Sequence, residues 1–143
     1  HKLVVHETAE REVIHPLTRD AKQGDAVADK RITEEDQAED LLARLEQLDV
    51  ESAGFDDLIA TLRDDVLQHA EAEQAHEFPK IEQAIDVDEL NRLAPIFRAA
   101  EASPTHPPGT DPASAASHVA PVPLIAIAER ARDAITKARQ QAA

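Results

Sequence analysis

Two segments of this chain place residues at the alternating three- and four-residue spacing that keeps side chains on one helix face. In both, the stripe is interrupted by a histidine followed four residues later by a glutamate. The first stripe is Leu3, His6, Glu10, Val13 and Leu17. The second is Phe55, Ile59, Leu62, Val66, His69, Glu73 and His76. A stripe whose only task was packing would be apolar throughout. Burying an unpaired carboxylate costs several kcal/mol, about the whole margin of a small domain, so two such pairs facing a core call for a compensating charge. A bound cation supplies one. Residues four apart lie about 6 Å apart along the axis on one face, so both side chains of each pair reach a common centre. Helix bundles house two-metal centres in this way. On a surface helix, by contrast, His-x-x-x-Glu is an exposed ion pair.

The remaining periodicity is also helical. Residues 1 to about 18 read as a first helix, with Pro16 near its end, followed by a turn at Gly24 and Asp25. A second helix runs to about Leu48 with Ala38, Leu41, Leu42, Leu45 and Leu48 on its apolar face. Extended backward, that stripe lands on Glu35, with Glu39 at its edge; Glu35 also lies in the charged run Glu34-Glu35-Asp36, where a solvated face is the default. The third helix carries the second His/Glu stripe and ends or kinks at Pro79. A shorter amphipathic helix, about Val87 to Ala102, uses Leu90, Leu93, Ile96 and Phe97. A Pro-rich connector over 103–123 leads to a last helix, 124–143, with Leu124, Ala128, Ala131 and Ile135 on one stripe. There is no strand or hairpin signal, so the expected class is all-α. The expected division is a metal-binding bundle over 1–85, an added helix over 86–102, the connector, and the C-terminal helix.

Composition narrows the function. Twenty-nine Asp and Glu against 15 Lys and Arg give a net charge of −14, which repels phosphate backbones and anionic membrane surfaces. No nucleic acid and no membrane is expected as partner. The longest apolar run, Val119 to Ala128, is broken by Pro121 and Pro123 and is too short to cross a bilayer. Without cysteine there is no disulfide or thiol chemistry, and a soluble, cytoplasmic protein is expected. Of the remaining histidines, His15 reads as a helix-end residue with a supporting role behind the ligands as the alternative. His76 lines an entrance or ends the bundle, and His1, His106 and His118 read as structural or exposed.

The runs His6-Glu7-Thr8-Ala9-Glu10 to His15-Pro16, and His69-Ala70-Glu71-Ala72-Glu73 to Phe78-Pro79, resemble the hemerythrin-like family, the HHE cation-binding domain. The resemblance covers about residues 1 to 85. It implies an up-down four-helix bundle around a non-heme diiron centre with oxo or carboxylate bridges. By that likeness His6 and Glu10 are the pair of the family's second helix, His69 and Glu73 the pair of its fourth, and Glu10 and Glu73 the bridging carboxylates. The family's third helix supplies a histidine six residues before a Leu-Leu pair; here that position is Glu35, which the resemblance turns into a ligand. The family's first helix also donates a histidine, so a helix with one histidine on its core stripe is expected upstream of His1. The C-terminal stripe holds no His or Glu and cannot replace that ligand.

A donor set of His6, His69, Glu10, Glu35 and Glu73 is richer in carboxylate than an oxygen-carrying hemerythrin, and hard anionic donors favour ferric iron. The resemblance therefore implies catalase-like peroxide decomposition or dioxygen chemistry in oxidative-stress defence. The alternative is an oxygen, nitric oxide or iron sensor or store using the same site. A metal-free acidic bundle with an interaction role is the third reading.

Overall fold

The structure is a computed structural model that describes residues 1–103 and 123–143. Among them there is no strand, and the expected all-α class holds. The helices are α1 (Lys2–Ala9), α2 (His15–Asp20), α3 (Asp25–Leu45), α4 (Ala53–Ala72), α5 (Phe78–Ala84), α6 (Val87–Glu101) and α7 (Leu124–Ala142). Two π-helical turns, Glu10–Ile14 and Glu73–Glu77, separate α1 from α2 and α4 from α5. The Pro-rich connector lies outside the described residues apart from its ends. No helix among the described residues is long and apolar enough to cross a membrane.

The chain forms two compact units. The first comprises His1–Ile14 and Val87–Ala143, in which α1 packs on α6 and α7 and these pack on each other. Its core is the aliphatic set that the composition requires: Val4, Val5, Ala9, Val13, Ile96, Ala100, Ile127, Ala128, Ala131 and Ile135 are buried. Burying Ile127 and Ile135 stabilises the unit by roughly 1.5–3 kcal/mol each. Ile127 was not on the expected stripe, and Leu124, which was, is only half-buried.

The second unit is His15–Asp86. Here α3 packs on α2, α4 and the second π turn, and α2 packs on α5. The α2–α3 turn needs Gly24, because a Cβ there would overlap the Thr18 carbonyl oxygen. Ser52 caps α4, its hydroxyl accepting from the Phe55 N–H at 3.2 Å. Apolar burial is thin: Ala21, Ala28, Ala38, Leu41, Leu45, Leu62 and Ile81. Of the expected α4 stripe only Leu62 is buried among the apolar members, and Ile59 is exposed. Periodicity puts residues on one face but does not say whether another element covers it.

The π turns correct the continuous helices that spacing predicts. Pro16 has no N–H for the Glu12 carbonyl, and in a regular α-helix its ring would clash with that oxygen. The backbone widens just ahead of it, and Arg139 of α7 donates to the stranded Glu12 carbonyl. Pro79 stands in the same relation to the second π turn. Each wide turn advances the helix face past the expected register. After the first, His15 and Thr18 are the buried positions and Leu17 is only half-buried.

Candidate metal centre

In the second unit, His69 and Glu73 straddle the start of the π turn that ends α4. Their side chains converge, with His69 Nε2 3.5 Å from Glu73 Oε1. Glu35 on α3 brings its Oε1 to 4.0 Å from the same nitrogen. Two donors bound at about 2.1 Å to one ion stand roughly 3–4 Å apart, so these separations suit a shared cation. Glu35 and Glu73 are buried, and the His69 side chain is 15% exposed.

Two further contacts hold these side chains in place. His69 Nδ1–H donates to Glu34 Oε2 at 3.0 Å, and Glu34 Oε1 accepts from Arg31 at 2.9 Å. His15 begins α2, the helix-end position expected of it, and it also fits the alternative of a support behind the ligands: it is 1% exposed and lies between two carboxylates. Its Nε2–H donates to Glu35 Oε1 at 2.5 Å and its Nδ1–H to Glu77 Oε1 at 2.9 Å. The Thr18 hydroxyl donates to the same Glu77 oxygen at 2.5 Å. Because both ring nitrogens face acceptors, the imidazole is held doubly protonated. Burial alone would push its pKa down; the hydrogen bonds to Glu35 and Glu77, with their charges, outweigh that and raise it from 6.5 to about 9.

The donor chemistry fits a cation. Glu34, Glu35, Glu73 and Glu77 are buried or half-buried in this unit, and against them stand the buried cations Arg31 and His15. Glu77 Oε2 is buried with no hydrogen-bond partner among the described residues. This acidic excess in a low-dielectric setting is stabilised by added positive charge.

The first unit holds the other expected pair. His6 Nε2 lies 3.1 Å from Glu10 Oε1, and its Nδ1 lies 3.7 Å from Glu101 Oε1 on α6. The ring also meets Phe97 edge-on. Glu10 is buried, but the His6 side chain is 46% exposed, more open than a core stripe implies.

The structure thus brings Glu35, His69 and Glu73 together in one unit and pairs His6 with Glu10 in the other. Sequence reasoning missed the buried roles of Arg31, Glu34 and Glu77, and gave that of His15 only as an alternative. One signal was available: a proline follows each motif histidine by ten residues, at Pro16 and Pro79. A proline inside a helical pattern implies a local widening, and therefore a changed register for the residues just before and after it. His76 is exposed, as is His1; His106 and His118 lie outside the described residues.

No curated protein and no solved structure matches the chain. A family model described as the hemerythrin HHE cation binding domain matches residues 1–81, a span that contains both His-x-x-x-Glu motifs and Glu35. Family membership and the carboxylate–histidine cluster agree on cation binding: the chain belongs to the hemerythrin HHE cation-binding domain family.

Proposed function

We propose that this domain binds two iron ions through His6, Glu10, Glu35, His69 and Glu73, and that it acts on small oxygen species, most concretely by decomposing hydrogen peroxide. The observation that carries the reading is the convergence of Glu35, His69 and Glu73 in a chain of this family. A pair of redox-active metal ions supplies the electrons and the Lewis acidity for such chemistry. The protein's own contribution is to aim the donors and to surround them with carboxylate. That environment favours the ferric state and so suits peroxide turnover better than reversible carriage of dioxygen. His15 and Glu34 orient the Glu35 and His69 side chains through hydrogen bonds. Such a role belongs to oxidative-stress defence.

Metal analysis after iron-replete expression tests the reading. The wild-type chain should carry close to two irons, and His69→Ala and Glu73→Ala should each lose most of them. Well under one iron per chain in the wild type would sink it. Oxygen evolution from hydrogen peroxide that survives desalting and vanishes in both variants supports turnover. Spectral change without turnover would move the reading to sensing or storage of oxygen, nitric oxide or iron.

A further inference from the structure

The charged run Glu34-Glu35-Asp36 divides three ways in the folded chain: Glu35 is buried, Asp36 is exposed, and Glu34 lies between, with its side chain 25% exposed. Both oxygens of Glu34 are committed. Oε2 accepts from His69 Nδ1–H at 3.0 Å. Oε1 accepts from Arg31 Nη2 at 2.9 Å, with the Lys30 ammonium at 4.0 Å on the solvent side. Arg31 sits one turn before Glu35 on α3 and is 1% exposed, yet Glu34 is its ion-pair partner and its Nε and Nη1 have no hydrogen-bond partner among the described residues. A guanidinium buried on these terms adds little net stability. It does restrain one carboxylate. That carboxylate in turn determines which nitrogen of His69 carries the proton, since a neutral imidazole donating from Nδ1 must present a lone pair at Nε2. Nε2 is the nitrogen that faces Glu35 and Glu73.

We propose that Glu34, held by the buried Arg31, is the positioning residue that fixes His69 as the Nδ1–H tautomer and so commits its Nε2 lone pair to a metal ion. Metal-ligating histidines are commonly oriented in this way by a carboxylate on the opposite ring nitrogen, and loss of that partner weakens metal binding about 10–100-fold. The inference rests on His69 being a ligand, as proposed above, but it concerns a residue outside the donor set. It also makes a claim about the metal-free chain.

Two measurements on the full chain separate these claims. In metal-free protein, at a pH high enough that the ring carries a single proton, long-range proton–nitrogen correlation spectra of the imidazole rings, with His69 assigned through His69→Gln, should show the Nδ1–H form. Glu34→Ala should release it towards the Nε2–H form, whereas Glu34→Gln, which keeps a carbonyl acceptor, should retain it. Under anaerobic conditions Glu34→Ala should weaken binding of ferrous iron by about 10–100-fold, and Glu34→Gln by much less, with the thermal midpoints of the two metal-free variants alike. An unchanged His69 tautomer in Glu34→Ala would overturn the proposal, as would iron affinity within threefold of wild type. If the wild-type chain bound no iron while the tautomer behaved as stated, the diiron reading would fail and the orienting contact would stand.

Discussion

The His15 contacts make the stability of the metal-free chain fall with rising pH. The folded-state pKa is about 9 against 6.5 for the unfolded chain. Below pH 6.5 both states bind the proton and the full contribution is present. Between 6.5 and about 9 the folded state holds a proton that the unfolded state has lost, so stability drops by up to about 1.4 kcal/mol per pH unit. Above about 9 the contribution is gone. The interval corresponds to about 3 kcal/mol, with no reduction for solvent screening because the side chain is 1% exposed. For a domain of this size that is roughly 10 °C in the thermal midpoint. The assay is urea unfolding of chelator-treated protein, followed by far-ultraviolet circular dichroism from pH 6 to 10. His15→Gln serves as the comparison, since its amide donates but does not titrate. Wild-type stability should decline through the window while the variant is less stable at pH 6 and declines little. A flat wild-type profile, or an equal decline in the variant, would refute the placement of an imidazolium between Glu35 and Glu77.

Three other outcomes can be checked directly. Gly24→Ala should cost about 3 kcal/mol or more, seen as a lowered urea midpoint, because the added methyl meets the rigid Thr18 carbonyl and not a movable side chain. Ile135→Ala should destabilise by about 2–4 kcal/mol in the same assay, since this residue is 1% exposed in the core shared by α1, α6 and α7. At Glu35, replacement by histidine should retain iron and move the absorption towards that of a histidine-rich centre. Glu35→Ala should lose part of the iron, measured by elemental analysis, and also leaves His15 with one carboxylate fewer.

Helical class and the positions of the two His-x-x-x-Glu motifs were legible in the sequence because both follow from local spacing, and a helix is a local structure. The anomaly of polar residues on apolar stripes was legible for the same reason. It identified His6, Glu10, His69 and Glu73 as candidates before any contact was known. Glu35 needed more, since the backward-extended stripe reached it inside a run of acids, where a solvated face is the default, and the family's Leu-Leu spacing was what tipped it inward. The long-range partners were not legible. His15 meets Glu35 and Glu77 from 20 and 62 residues away, and Glu34 meets His69 across 35. Pro16 beside His15 and Pro79 near Glu77 signal a changed register there, but nothing in the immediate neighbourhood of those residues says which partner each will meet.

What the amino-acid order determined by itself was therefore the helices, the absence of thiol chemistry, the acidic charge and the pairs of metal-type donors. What tertiary structure decided was which acids lose their water. Of Glu34, Glu35 and Asp36, identical in charge and adjacent in sequence, Glu35 is fully buried, Glu34 is half-buried and accepts from His69 Nδ1–H, and Asp36 is exposed. The physical reason is register. A helix turns about 100° per residue, so neighbours in sequence point to different surroundings. The π turns ahead of Pro16 and Pro79 then shift that register by an amount that stripe counting on a regular helix does not contain.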